Sequence, residues 1–329
     1  MKHVSRMMAT AAAVALLAGS AAQAEVVLRA VTGVPGPTPV AQVFLQYVER
    51  VNEAGAGVVQ IDYLGGPEAM PPSRQGVSLQ RGLIDMLHAP GAFYAGNVRE
   101  ADALLGTNLT MEEIRANGAL DLLDQLWQEQ LNAKIVGWFD TSVRFHLYLS
   151  EAPVVTEDRL DLNGMRLFAT QTYRDLQEAL NGVPVAMEVG EIMTALDSGV
   201  IQGYGFPNYG IVAFGFGRKT AYRIDPSYYS GNVPALVNLD VWNDLPQEAR
   251  DILTQVAIEW EADSPEYIAG FRDRELAQLQ EEGMEILELP EAAAEHYLAL
   301  AYDILWDRVI ANSPEHGPVL RDLLFDPDR

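Results

Sequence analysis

Apolar residues in the N-terminal part of the chain alternate between strand spacing and helix spacing. Residues 26–32 are mostly β-branched and predict a buried strand. Apolar residues between positions 40 and 51 recur at helical spacing, and residues 58–64 alternate as a second strand. A strand, a helix and a strand in this order form a βαβ unit, so the pattern predicts a parallel sheet.

The pattern continues with elements that extend this first unit. Residues 68–82 can form another helix, and residues 83–89 form an apolar strand. Residues 111–131 predict one long amphipathic helix, which a strand at residues 134–138 follows. From residue 143 to residue 150 apolar and polar side chains alternate, which suits a long strand that leaves the first lobe for a second one.

A second set of short strands and helices follows that long strand. Their rapid alternation predicts a second α/β lobe. The predicted elements are strand 165–169, helix 172–181, strand 183–187, helix 190–198 and strand 200–206.

The C-terminal third returns to the first lobe and then becomes helical. Residues 231–239 predict the returning strand. Residues 246–282 are nearly all helix formers, and residues 292–311 predict a last helix. Two α/β lobes joined by crossing strands make a hinge with a cleft, a usual place for a small ligand. The expected fold is therefore a two-lobed α/β fold with a hinged cleft and long C-terminal helices.

The N-terminus has the pattern of an export signal. Lys2 and Arg6 are basic, residues 7–19 form a short apolar run, and residues 22–24 make a small-x-small cleavage site. We therefore expect residues 1–24 to be a signal peptide. The alternative is a short buried helix.

The remaining chain divides at the points where the predicted strands cross. We expect lobe I at residues 25–145 and lobe II at residues 146–234. Residues 235–275 are expected to return to lobe I, and residues 276–329 to form C-terminal helices that pack on lobe II.

Composition excludes several classes of function. The formal net charge of −24 leaves no basic surface for nucleic acid, because that binding needs clustered Lys and Arg. The acidity indicates solubility or, alternatively, an acidic docking face. The chain has 0 cysteines, which excludes a disulfide scaffold, a thiolate nucleophile and a cysteine zinc site. None of the five histidines pairs with another at a metal-ligand spacing.

The known catalytic motifs are also missing from the sequence. Residues 215–220 end in Lys-Thr, but they lack the glycine spacing of a phosphate-binding loop. There is no Gly-x-Ser-x-Gly elbow. No set of residues supplies a nucleophile, a base and an oxyanion donor together. We therefore expect no catalytic residue, no metal and no cofactor.

Five segments resemble the receptors of one transport family. The segments are GLIDMLHAPGAFY (82–94), IVGWFDTSVRFHLYLSEAPV (135–154), LNGMRLF (162–168), ALDSGVIQGYGFP (195–207) and VNLDVWNDLP (237–246). They resemble the solute-binding receptors of TRAP-type transporters, the C4-dicarboxylate-receptor family, and the likeness covers nearly the whole chain after residue 24.

This resemblance implies a fold of the periplasmic-binding-protein type and a periplasmic receptor that is not an enzyme. It would capture a small organic acid, close around it, and deliver it to the small and large membrane subunits of a secondary transporter. We expect a monomer. The alternative is a periplasmic sensor or enzyme on the same scaffold.

Two positions depart from the family pattern. Where the family has an arginine that holds the ligand carboxylate with paired hydrogen bonds, this chain has Phe168. Where the family tends to have polar residues before a proline, it has Phe206. Arg144 stands where many members have a second cleft arginine, so the resemblance implies that it is the remaining carboxylate partner.

The implied ligand site is aromatic. An apolar wall with Arg144 suits an acid that has a flat or hydrophobic body. The alternative ligand is a quaternary amine held by cation–π attraction, with Asp140 or Glu188 nearby. For each aromatic residue alone, the competing interpretation is core packing. The further candidate ligand residues are Phe93, Tyr94, Trp138, Tyr173, Tyr204, Tyr209 and Asn238.

Overall fold

Two β-sheets with helices around them organise the chain. The computed structural model describes residues 25–327, so the predicted signal peptide at residues 1–24 lies outside the described residues. The strands are β1 (Val26–Thr32), β2 (Val59–Gly65), β3 (Met86–His88), β4 (Ala133–Trp138), β5 (Phe145–Leu149), β6 (Val154–Val155), β7 (Leu160–Asp161), β8 (Arg166–Phe168), β9 (Val183–Val185), β10 (Gly203–Pro207), β11 (Tyr222–Asp225), β12 (Pro234–Asn238) and β13 (Glu285–Glu288).

The helices are mostly short in the first two thirds of the chain and long in the last third. They are α1 (Pro39–Ala54), α2 (Pro72–Gln80), α3 (Met111–Ala116), α4 (Ala119–Leu131), α5 (Gln171–Ala179), α6 (Ile192–Asp197), α7 (Leu239–Asp244), α8 (Gln247–Glu281), α9 (Glu291–Asn312) and α10 (Gly317–Leu324). Among the described residues, no helix combines the length and the apolar character that a membrane span requires.

The first sheet belongs to lobe I and has the strand order β2-β1-β3-β12-β4. Strand β1 pairs in parallel with both β2 and β3, which confirms the parallel sheet predicted from the βαβ pattern. Strand β12 lies antiparallel between β3 and β4. Since β12 follows the second lobe in the chain, it is the predicted returning strand.

The second sheet belongs to lobe II and has the order β13-β11-β5-β10-β8-β9. Strand β5 is buried along its whole length and pairs antiparallel with β10. Strands β10, β8 and β9 run parallel to one another. Their carboxyl ends therefore meet at one edge of the sheet, and this edge faces lobe I.

Helix α1 shows how local sequence positions the residues at the edge of lobe I. The Thr38 hydroxyl accepts a hydrogen bond from the Ala41 backbone N–H, and Pro39 occupies the first turn, where no N–H is needed. The helix buries a face that includes Phe44 and Tyr47, and it ends at Gly55. This cap fixes the position of Thr38, in the loop that connects β1 to α1.

Three predicted elements differ from the structure. The helix predicted at residues 111–131 is divided into α3 and α4, because Gly118 takes a left-handed conformation with φ 84° that continues neither helix. The strand predicted at residues 231–239 ends at Asn238, whose side chain caps α7. The helix predicted at residues 190–198 begins as a 3₁₀ turn, and α6 follows it.

The C-terminal helices contact both lobes, whereas the sequence predicted packing on lobe II alone. Helix α9 places Tyr297 and Leu305 in the apolar core of lobe II. The next residue, Trp306, belongs to a core of lobe I, and so does Leu320 of α10. Two adjacent positions of one helix point to different faces, so a helix at the border between lobes joins both cores.

A buried ion pair connects lobe I to the long helix α8. Glu261 accepts hydrogen bonds from Arg115 Nε at 2.6 Å and Nη2 at 2.9 Å, and from the Trp138 backbone N–H at 2.9 Å. Burial raises the pKa of the Glu261 carboxyl, and the bonds to Arg115 oppose that rise. The pair therefore holds β4, α3 and α8 together through one carboxylate.

We expect Arg115→Met to lower the free energy of unfolding by about 2 kcal/mol, because it leaves a buried carboxylate without its cation. The control is Arg272→Met, whose partner Asp273 has a side chain that is 67% exposed, and this change should cost less than about 1 kcal/mol. Denaturant unfolding of both variants checks the prediction. Equal effects would contradict it.

Candidate functional site

A cavity of about 170 Å³ lies between the two lobes. Lobe I contributes Thr38 at the start of α1, Phe93 in the loop after β3, and Asp140 after β4. Lobe II contributes Phe168 at the end of β8 and Phe206 in β10. Because ligands of α/β proteins bind outside the carboxyl ends of strands, this cavity is the candidate site.

One wall of the cavity is an aromatic cluster in lobe II. The rings of Phe206 and Phe214 both line the cavity, and they meet edge to face with centroids 5.7 Å apart. Behind them, Phe216 stacks on Phe214 at 5.4 Å. Tyr204 is fully buried and lies 5.2 Å from Phe216. Edge and offset packing of this kind fixes ring positions, so the wall is a preformed apolar surface.

Asp140 is the one charged side chain in the lining. Among the lining residues, all of which lie in the described part of the chain, there is no Arg, Lys or His. The Asp140 Oδ1 atom accepts hydrogen bonds from Trp138 Nε1 at 2.8 Å and from the Val233 backbone N–H at 3.2 Å. Burial raises the pKa of the Asp140 carboxyl to about 6, and these two bonds oppose the rise.

Two buried polar side chains line the cavity without a hydrogen-bond partner in the described chain. Thr172 lies in the first turn of α5 and is 6% exposed. Asn232 precedes β12 and is also 6% exposed. Neither side chain has a polar atom enclosed in the core without a partner, so the polar atoms of both are open to the cavity and available to a ligand.

The structure brings together five of the residues predicted from sequence. Phe93, Phe168, Tyr173 and Phe206 all line the cavity, and Tyr209, the remaining aromatic candidate in the lining, makes a fifth. They come from both lobes, and their segments are separated widely in the chain. The prediction of an aromatic cleft with Phe168 and Phe206 in its wall therefore matches the geometry, although ligand contact itself stays a prediction.

Four other predicted residues lie outside the lining. Trp138 is buried and donates to Asp140, so it contacts a lining residue. Tyr94 is buried against Trp127, and Tyr204 supports the aromatic cluster. Asn238 accepts from the Val241 backbone N–H and donates to the Leu79 carbonyl at 2.7 Å, which are structural contacts.

Arg144 faces away from the cavity between the lobes. Its Nη1 atom donates to the Val143 carbonyl at 3.0 Å, to Ser230 Oγ at 2.9 Å, and to the Thr141 carbonyl. Its side chain lines a second cavity, of about 860 Å³, which also contains Glu261. A role for Arg144 at a ligand carboxylate would require the side chain to leave these acceptors.

Sequence reasoning missed Thr172 and Asn232, and it considered Asp140 only as a partner for a cationic ligand. The signals were present but weak. Thr172 follows a predicted strand end by a few residues, and Asn232 stands in the polar run before the returning strand. Within residues 25–327, no group of three or more His, Asp or Glu side chains is arranged to hold a metal ion.

Comparison with known proteins gives a family model and two curated relatives. Residues 30–301 match the model of bacterial extracellular solute-binding protein family 7. A solute-binding protein of Sulfitobacter sp. NAS-14.1 is 26% identical over 295 residues, covering 88% of this chain and 86% of its own. A solute-binding protein of Roseobacter denitrificans is 25% identical over 221 residues, covering 66% of this chain and 64% of its own.

Solved structures share the fold at low identity. A TRAP periplasmic solute-binding protein of Desulfovibrio salexigens with bound orotic acid has a TM-score of 0.77 and 18% identity, covering 91% of this chain and 97% of its own. One of Roseobacter denitrificans with bound L-galactonate has a TM-score of 0.72 and 18% identity, covering 92% and 99%. A Bordetella pertussis extracytoplasmic solute receptor that binds pyroglutamic acid has a TM-score of 0.74 and 16% identity, covering 91% and 99%.

We expect Asp140→Asn to become more stable relative to the wild type as the pH rises. In the folded wild type the pKa of Asp140 is about 6, above the ordinary value of 3.8 that applies to the unfolded chain. Between these two pH values the folded protein therefore keeps a proton on Asp140 that the unfolded chain has lost. The unfolding free energy of the wild type therefore falls as the pH rises through this range. The variant has no ionisable group at position 140, so its unfolding free energy does not contain this pH-dependent loss.

The difference in unfolding free energy, variant minus wild type, should rise by about 2 kcal/mol from pH 4 to pH 7 and then level off. Denaturant unfolding of both proteins at each pH measures it, and terms from other titrating groups cancel in the difference. A difference that does not change with pH would contradict the prediction.

Proposed function

The chain belongs to bacterial extracellular solute-binding protein family 7, and on that premise we propose that it captures a small organic acid with an aromatic or hydrophobic body. Its role is that of the solute-binding receptor in a TRAP-type transporter, the class of the similar structures. The observation that carries the ligand class is the aromatic wall of the cavity between the lobes. A wall of this kind gains most from a flat or apolar ligand surface.

The ligands of the similar proteins support an acid. L-galactonate, orotic acid and pyroglutamic acid are the ligands of three similar proteins, and each contains a carboxyl group. The wall of this chain supports a different body on that acid. A sugar acid presents many hydroxyl groups, and burying them against Phe168 and Phe206 would leave them without partners.

We propose that Phe93, Phe168, Tyr173 and Phe206 contact the ligand body. Phenylalanine at position 168 removes the paired hydrogen bonds of an arginine and extends the apolar wall. Ligand roles for Trp138, Tyr94, Tyr204 and Asn238 stay predictions, and the role predicted for Arg144 is tested below by substitution.

Capture would be followed by closure and delivery. The chain crosses between the sheets after β4 and again before β12, and these two segments pair at Arg144 and Ser230. Crossing strands of this kind permit a hinge motion, and a ligand that contacts both lobes favours the closed state. The proposed recipients are the small and large membrane subunits of the transporter, with no chemical change to the solute.

We also propose the location, the oligomeric state and the lobe boundaries of the protein. Residues 1–24 would direct export to the periplasm, where the receptor would act as a monomer. The lobe boundaries would be those set by the crossing strands, with residues 25–145 and 235–275 in lobe I and residues 146–234 in lobe II. The C-terminal part, residues 276–329, would join lobe II and the border between the lobes.

A thermal-shift panel on the protein stripped of bound solute tests the ligand class. The probes are phenylacetate, phenylalanine, leucine and 4-methyl-2-oxopentanoate, with succinate, galactonate and choline as comparators. A ligand at 100 times its dissociation constant adds about 2.7 kcal/mol, so its shift is measurable. We expect the largest shift from an aromatic or branched carboxylate, and a shift from choline alone would overturn the acid class.

The best carboxylate of that panel then tests the wall by calorimetry. We expect Phe206→Ala to weaken its binding at least tenfold, about 1.4 kcal/mol, because the ring forms the wall. Phe271→Ala is the control, since Phe271 lies on α8 and does not line the cavity. Unchanged affinity in Phe206→Ala would remove this ring from the ligand site.

Arg144→Met decides the role of the predicted carboxylate partner. Because the guanidinium is held by acceptors outside the cavity, we expect the affinity for the same carboxylate to change less than threefold. A tenfold loss, with the thermal stability of the unliganded protein preserved, would return Arg144 to the ligand site.

A further inference from the structure

We propose that the captured acid is a zwitterion, whose protonated amine binds Asp140 and whose carboxylate binds the N-terminus of α5. This inference rests on the proposed function and deepens it, since it names the charges that the organic acid carries. Three features of the cavity support it: a buried carboxylate without a cation, an uncapped helix end, and an apolar wall.

The first feature is the environment of Asp140. This side chain is 2% exposed, and both of its protein donors bond to Oδ1, which leaves Oδ2 without a donor from another residue. A buried carboxylate is costly unless it has a cation or enough hydrogen bonds. The cavity supplies no Arg, Lys or His, so a cation here has to come from the ligand. The raised pKa of Asp140 agrees with an unmet demand for positive charge.

The second feature is the N-terminus of α5, a helix of 9 residues. Thr170, the residue before the helix, lines the cavity, but its side chain makes no capping hydrogen bond. The first backbone N–H groups of a helix have no partner within the helix, and the helix dipole favours an anion there. The first turn also lines the cavity through Thr172 and Tyr173.

The Thr172 hydroxyl is an independent observation that points to a ligand at this helix end. The residue is 94% buried, since 6% of it is exposed, and its hydroxyl has no partner among the described residues. Although the residue is mostly buried, this hydroxyl is not one of the polar atoms enclosed in the core, so a ligand in the cavity can reach it. A carboxylate seated at the first turn of α5 would accept from this hydroxyl and from the backbone together.

The two polar ends lie in different lobes. Asp140 follows β4 of lobe I, whereas α5 follows β8 of lobe II. A ligand with an amine and a carboxylate would join both, with its apolar body against Phe168 and Phe206. Such a ligand prefers the closed arrangement, because only that arrangement satisfies both charges. A simple carboxylate would leave Asp140 unpaired and add a like charge to the same cavity.

Matched probes test the proposal on the full protein by calorimetry. The sets are phenylalanine, 3-phenylpropanoate and 2-phenylethylamine, and leucine, 4-methylpentanoate and 3-methylbutylamine. In the set that binds more tightly, we expect the amino acid to have at least tenfold higher affinity than the acid that lacks the amine. It should exceed the amine that lacks the carboxylate by the same factor. Equal or tighter binding of the simple acid would overturn the zwitterion and leave the proposed acid receptor intact. If no amino acid and no simple carboxylic acid from the two sets binds, the proposed function as a receptor for such acids is contradicted as well.

Asp140→Asn separates the amine contact from a structural role. The variant keeps an oxygen that can accept from Trp138 and Val233, so folding should persist, and a thermal melt checks it. We expect amino-acid affinity to fall at least tenfold, whereas affinity for the matched simple acid should rise, because the variant removes a like charge from the cavity. An equal fall for both probes would overturn the assignment of the amine to Asp140.

Thr172→Val tests the carboxylate end without changing a charge. We expect affinities for the amino acid and the simple acid to fall together by at least threefold, with the amine unaffected. Thr194→Val is the control, because Thr194 is exposed on α6 and does not line the cavity. Unchanged affinities in Thr172→Val would overturn the seat at α5.

Discussion

The hydrogen bonds that the Asp140 carboxylate accepts are the interaction on which the hinge region and the cavity both depend, because they join the two segments of the chain that cross between the lobes. Trp138 is the last residue of β4, Asp140 follows that strand, and Val233 precedes β12. The hydrogen bond from Val233 to Asp140 Oδ1 therefore links two segments that are 93 positions apart in the chain, and Trp138 donates to the same oxygen. Gly231 fits against this link because a side chain there would come within 2.2 Å of the Asp140 carbonyl. The same carboxylate forms part of the cavity surface. The connection between the lobes and the chemistry of the site therefore share one group.

The sequence was sufficient for the parallel sheet and the crossing strands. Both follow from short-range patterns, namely the β-branched runs and the helical spacing, whereas Phe168 and Phe206 were placed at the cleft by the resemblance to the receptor family. The break between α3 and α4 also has a local cause in Gly118, but a glycine inside a helical pattern only lowers confidence in one continuous helix. Local chemistry thus explains most of the architecture.

The orientation of Arg144 and the isolation of Asp140 could not be predicted from sequence. Arg144 is held by Ser230, which is 86 positions away, so its direction depends on a long-range contact. The absence of a cation beside Asp140 depends on every segment that reaches the cavity. Likewise, the contacts of α9 with both cores depend on how the lobes come together. The strand and helix periodicities of a sequence describe neighbours within one element, so they carry no information about contacts between segments that are far apart in the chain.

Helix α9 gives the molecule a way to adjust affinity from outside its binding site. Leu305 and Trp306 are neighbours in the chain, but each belongs to the core of a different lobe. The proposed closure of the lobes would therefore alter packing around this helix, and its side chains would contribute to the balance between the open and closed forms. Apparent affinity equals intrinsic affinity reduced by the fraction of molecules that are competent to bind. Divergence at these core positions would retune a receptor to a scarcer or more abundant nutrient while the selectivity of its cleft stayed the same.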